Sequence, residues 1–199
     1  MKTQEKTPLV FDWAEARLAE MSATVTSLQS EADKLQADAR KKAQASIAEM
    51  VKRRDAFSSA IKKQGATTAD TWAKTKTALE SEWKAFETTL QQYFEEAREK
   101  TGQQTAVFRA SAEAQRKAWQ KGIDELQTAA AGLASEQKAQ AETAVKRMTA
   151  DGDAARKKLD AIVHAGAKSW SAYSEALVAS RAAFDSATQA AQKAFKRSA

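Results

Sequence analysis

An all-α fold, an elongated antiparallel coiled coil of three long helices, follows from three features of this 199-residue sequence. Proline occurs once and glycine six times, so few positions interrupt a helix. Ala, Glu, Lys, Gln and Arg dominate, and each loses little rotamer freedom in a helix. Apolar residues recur at alternating spacings of three and four, the period of a helix packed along one seam.

The first helix is expected to start at Thr7, which can cap, with Pro8 at the first helical position, where its missing amide hydrogen costs nothing. Its seam runs through Phe11, Ala14, Leu18, Met21, Val25, Leu28, Ala32, Leu35 and Ala39. After a shift it continues through Ala43, Ile47, Met50, Phe57 and Ile61, and the shift reads as a stutter that locally unwinds a supercoil. A turn is expected at Gln64 and Gly65, where Thr67 and Asp70 have capping-box spacing.

The central helix then carries an aromatic seam of Trp72, Leu79, Trp83, Phe86, Leu90 and Phe94, extended by Phe108, Trp119, Leu126, Val145, Met148 and Leu159. Gly102, Gly122, Gly132 and Gly152 each weaken a turn by about 1 kcal/mol relative to Ala. Gly102 and Gly152 are the positions at which this helix is most open to a break. A second turn at Ala165 and Gly166 leads to a last seam of Trp170, Tyr173, Leu177, Phe184 and Thr188.

A shift of 98 residues (170 less 72) superposes Trp72 on Trp170, Ala78-Leu79 on Ala176-Leu177, Ala85-Phe86 on Ala183-Phe184, Met50 on Met148 and Leu28-Gln29 on Leu126-Gln127. Since 98 is a whole number of heptads, apolar positions align at this shift in any heptad protein, and the tryptophan and off-seam matches carry the argument. They imply a tandem duplication of a helical hairpin, with repeats at 1–100 and 101–199 joined through the central helix.

If the turn near residue 65 closes a hairpin, Met50 lies opposite Phe86 and Arg54 opposite Glu82, with Arg40, Lys41 and Lys42 facing Glu95 and Glu96. The second hairpin sets Met148 by Phe184, Arg147 by Asp185 and Arg156 by Glu175. Opposite charges flanking a seam specify partner and orientation more than they stabilise. The expected form is a rod of about 140 Å; a break at Gly102 gives a four-helix bundle instead.

Little in the sequence points to catalysis. There is no cysteine and a single histidine, His164, beside an expected turn, where it suits a helix C-terminus. No carboxylate is expected on the apolar seam, where burial raises a pKa toward that of a general acid. No di-iron pattern and no glycine-rich phosphate cradle is present, so no catalytic, cofactor or metal residues are assigned. The formal net charge is +6, but 32 basic residues are interleaved with 26 acidic ones. Aromatics on the seam and bases on its flanks argue against nucleic acid, which needs exposed aromatics beside Lys and Arg. No apolar run reaches the length of a signal peptide or a membrane span, and a cytoplasmic location is expected.

The candidate interaction residues are therefore Trp72, Leu79, Trp83, Phe86, Trp119, Trp170, Leu177 and Phe184. An indole is bulky for a two-stranded seam, so these side chains fill a wider core, in a self-associated homo-oligomer such as a dimer, or dock on an apolar surface.

The stretches Trp72-Leu79-Phe86 and Trp170-Leu177-Phe184, in Ala-rich surroundings, resemble small bacterial helical-hairpin proteins described as stress-associated coiled coils. The resemblance covers most of the chain and rests on periodicity plus a tryptophan. It implies a non-enzymatic structural protein that self-associates and binds protein partners, with no functional residues to carry over. A looser likeness is to phasins, Ala-rich amphipathic proteins that coat polyester storage granules, and implies a coat on lipid or granule polymer. Five tryptophans and the density of charge depart from that pattern.

Overall fold

The computed structural model describes residues 9–63, 69–96, 101–133, 135–165 and 169–197. Among them the chain is all-helical: α1 (Leu9–Ala32), α2 (Ala37–Lys62), α3 (Ala69–Glu96), α4 (Thr101–Ala131), α5 (Ser135–His164) and α6 (Trp170–Arg197). The expected cap at Thr7 and Pro8 and the expected turn at Gln64 to Thr68 lie outside the described residues.

Among the described residues six helices stand where the seam led to an expectation of three long ones. The first correction falls at Asp33–Gln36, where the seam was expected to run on without a break; the stretch Ala39 to Ile47, read as a stutter, lies within the unbroken α2. Helix α1 ends at Ala32. The Arg40 guanidinium reaches back from α2, its Nη2 donating to Asp33 O at 2.5 Å and to Leu35 O at 3.2 Å. Carbonyls left without helical partners are thus satisfied by a cation, which also suits the negative end of the helix. Lys34 N and Leu35 N tighten the last turn onto Glu31 O and Ala32 O. Helix α2 then starts from Gln36 in extended conformation, with Asp38 in its first turn, where a negative charge is favourable.

The central helix is also divided. Helices α3 and α4 are separate, and α4 ends at Ala131, where Gly132 N and Leu133 N close onto Ala129 O and Ala130 O. The breaking glycine is Gly132, while Gly102 lies in the first turn of α4 and Gly152 in the middle of α5. A Cβ on Gly152 would sit 3.0 Å from Trp119 Cε3, so this helix needs glycine for close approach to the indole.

The helices form two compact units, each discontinuous in sequence. One, the α2–α3 unit, comprises Arg17–Ser111 with Lys168–Tyr173; the other, the α5–α6 unit, comprises Met1–Ala16, Ala112–Ala167 and Ser174–Ala199. The expected boundary between hairpins at residue 100 lies outside the described residues, and both units draw on residues either side of it.

In the α2–α3 unit the core is aliphatic and aromatic: Met21, Val25 and Leu28 from α1, Met50 and Phe57 from α2, Leu79, Phe86 and Phe94 from α3, and Phe108 from α4. Helices α2 and α3 pack as the expected hairpin, and Glu82 is paired by Arg53 rather than Arg54, Nη1 to Oε2 at 3.2 Å. The one-residue difference is small because both arginines flank the same seam; Arg54 instead pairs with Asp55 at 2.6 Å.

In the α5–α6 unit the core is Ala-rich: Trp119, Ile123 and Leu126 from α4, Val145, Met148 and Ala155 from α5, and Phe184, Ala187 and Ala191 from α6 form one cluster with Ala16. Met148 and Phe184 converge as expected, since both lie within 4 Å of a Cβ placed on Gly122. Arg156, expected beside Glu175, pairs with Asp153 on its own helix at 3.5 Å.

Candidate functional site

The candidate residues divide between the two units. Leu79, Trp83 and Phe86 line one face of α3 in the α2–α3 unit, and all three are buried. Trp83 and Phe86 stack with ring centroids 6.0 Å apart, and the Arg17 guanidinium lies 5.4 Å from the Trp83 ring. A cation over an indole face is attracted by the ring quadrupole, which favours the arginine at this buried position. Trp170, half-buried, belongs to the same unit and meets Phe94 at 4.4 Å. The Trp72 side chain lies outside the described residues.

Trp119, Leu177 and Phe184 are buried together in the α5–α6 unit. Trp119 meets Phe184 edge to face at 5.2 Å, a favourable arrangement for two ring quadrupoles. Gln115 Nε2 donates to Leu177 O at 3.3 Å, tying α4 to α6. The described seam residues are thus packed inside the single chain, and Val178, 49% exposed, is the one large exposed hydrophobic side chain among the described residues.

Polar residues buried beside the seam were not anticipated. Thr24 and Ser111 share a hydrogen bond of 2.9 Å between α1 and α4. The Tyr93 hydroxyl donates to Gln103 Oε1 at 3.1 Å, and Gln103 Nε2 donates to Glu31 O at 3.4 Å. Tyr173, stacked on Phe108 at 4.5 Å, shares a hydrogen bond of 3.0 Å with Thr105. Glu20 corrects the expectation that no carboxylate is buried: it is 2% exposed on α1. The reason is the width of the buried face. Ala14, Met21, Val25 and Leu28 of the seam are buried, and so are Ala16, Arg17, Glu20 and Thr24 beside it, so α1 is covered on more than one side. Alternation of apolar residues marks only the stripe facing one neighbour.

The Tyr93 phenol is pushed above its usual range, first by burial and then by the negative charge of Glu31. Both favour the neutral form that donates to Gln103. Because the folded value exceeds the unfolded one, this phenol contributes stability below about pH 10 that is lost as pH rises through the folded value. In a Tyr173→Phe variant, an absorbance titration should show Tyr93 ionising above the denatured chain's tyrosines, with helix lost alongside. A phenolate forming at the ordinary tyrosine value in the folded protein would contradict its burial.

Arg116 holds the exposed Glu113 carboxyl below its usual range through a hydrogen bond from Nε at 2.8 Å. His164 is exposed in the last turn of α5. Among the described residues no group of three or more His, Cys, Asp or Glu is placed to hold a metal ion, and no helix is long and apolar enough to cross a membrane.

The fold and the seam define an all-helical bundle protein. No protein-family model, curated protein or solved structure matches the chain.

Proposed function

We propose that this protein is a non-enzymatic structural and interaction module built from two copies of one three-helix unit. The duplication is supported by the helix bounds. Shifted by 98 residues, the start of α2 falls on Ser135, the start of α5; the ends of α1 and α3 fall within one and three residues of those of α4 and α6. Buried residues correspond as well: Ala43 with Ala141, Ile47 with Val145, Met50 with Met148, Leu79 with Leu177 and Phe86 with Phe184. A repeat of three helices, not two, accounts for these pairs.

The observation that carries the interaction reading is the disposition of the seam. Its aromatics are consumed in the interior, so the outer faces available to a partner are charged and polar. Partners, among them a second copy of the chain, are then engaged through these faces, and such contacts weaken with salt. The seam's internal burial also supplies the wide core that the indoles require.

A second reading, an amphipathic coat on lipid or granule polymer, is favoured by the same seam seen differently. Leu177 and Phe184 form the apolar face of a helix whose opposite face is polar, and a bundle that opened could lay that face on an apolar surface. Small-angle scattering with absolute mass, at two protein concentrations and two salt concentrations, with and without anionic vesicles, separates the two. Mass indifferent to vesicles, with any self-association reversed by salt, is the expected result. Recruitment to vesicles would replace it with the coat reading.

A further inference from the structure

We propose that the α5–α6 unit is the half of the molecule that opens, and that it does so independently of the α2–α3 unit. Four observations within that unit carry the inference.

Equivalent buried positions, 98 residues apart, hold smaller or more polar side chains in the second copy. Phe57 corresponds to Ala155, Leu90 to Thr188 and Tyr93 to Ala191, all buried in their own unit. Two exchanges run the other way, Met21 to Trp119 and Val25 to Ile123, and they refill only part of the lost volume. Packing that forfeits ring contacts on one side leaves its lining atoms without partners.

The second observation is a groove of about 150 Å³ between α5 and α6, lined by Gln140, Thr143, Ala144 and Met148 on one side and Ala187 and Ala191 on the other. It lies where the first copy has Tyr93, whose ring is buried and whose hydroxyl is hydrogen-bonded. The missing ring is therefore visible as space.

Third, Trp119 Nε1, Ser180 Oγ and Thr188 Oγ1 are buried in this unit without a hydrogen-bond partner. Each gives up hydration for nothing in the closed state and regains it on opening, which biases the equilibrium toward the open form. Ser180 and Thr188 lie one turn before and one turn after Phe184 on the same face of α6, so the largest ring of that face is flanked by two unsatisfied hydroxyls. In the other unit the described residues include one such atom, Gln104 Oε1, and its tyrosine hydroxyls are paired.

Fourth, Gly122 and Gly152 stand in helix interiors where the first copy has Thr24 and Arg54, so the backbone of α4 and α5 loses more freedom on closing. All four features act in one direction, and none depends on what the open form binds. Elements of low local stability are the ones from which binding-competent conformers are drawn, which makes this unit the one a partner would remodel.

Hydrogen exchange by mass spectrometry on the full-length protein at neutral pH tests this. Amides of α5, of α6 beyond residue 174 and of α4 beyond residue 112 should show protection factors at least tenfold lower than those of α2 and α3. A Thr188→Leu variant, which removes one unsatisfied hydroxyl and installs the residue found at position 90, should slow exchange several-fold in the α5–α6 unit and leave α2 and α3 unchanged. Equal protection in the two units would overturn the proposal, as would greater protection in the α5–α6 unit. So would a Thr188→Leu effect of the same size in both units, because it would mean that they open only together.

Discussion

Phe86→Ala is expected to lose about 3–5 kcal/mol of stability, the cost of deleting a fully buried ring whose site cannot collapse. Phe86 is buried on α3, which packs against α2, and it stacks on Trp83, so its loss would leave a cavity in the core. Against a total of roughly 5–15 kcal/mol for a folded domain, that loss is a large fraction. Phe184→Ala, its counterpart, should cost a similar amount, because Phe184 is likewise buried and meets Trp119 edge to face. Val178→Ala is the control, expected to stay within about 0.5 kcal/mol, since Val178 is half exposed. Urea denaturation followed by circular dichroism measures all three, and a lower midpoint with unchanged slope would locate the effect in the folded state. A Phe86→Ala protein as stable as its parent would mean that the seam is not the core.

The helical class and the core were largely legible in the sequence. The period of three and four named Met21, Val25, Leu28, Met50, Phe86, Met148 and Phe184, and each is buried. The matches at a shift of 98 residues were legible too; the proposed duplication takes three helices per copy where the sequence suggested a hairpin.

What the period could not show is where helices stop. A heptad pattern passes through Asp33–Gln36 without interruption, because Ala32, Leu35 and Ala39 keep the spacing of the seam while the chain turns. The stop signal there is tertiary: Arg40 caps the carbonyls of Asp33 and Leu35 from the next helix. Glycines were equally ambiguous. Gly132 ends a helix, while Gly152 continues one because Trp119 occupies the space where a side chain would be, and nothing local to either residue distinguishes them.

The buried polar residues were hidden for a related reason. Arg17, Glu20 and Thr24 look like solvated flank in a two-stranded seam, and become interior only when α1 is covered on a second side. Their chemistry gives a partial hint, since Arg17 stands at the helical spacing that extends Met21 and Ala14. The Trp83 ring, 5.4 Å from the Arg17 guanidinium, contributes to making an arginine tolerable there.

The central claim is that the two halves pack the same core with exchanged volumes: Met21 and Phe57 in the first copy, Trp119 and Ala155 in the second. A double-mutant cycle in the second copy tests it most directly. Trp119→Met alone should cost about 2–3 kcal/mol by leaving a void beside Gly152, toward the lower end of large-to-small core substitutions. Ala155→Phe alone should cost about 1–3 kcal/mol by overpacking the cluster that holds the indole. The double variant recreates the first copy's pair, and should recover at least about 1 kcal/mol relative to the sum of the single losses, a coupling in the range of residues sharing one site. Losses that simply add would contradict the equivalence of the two cores, and with it the duplicated three-helix unit.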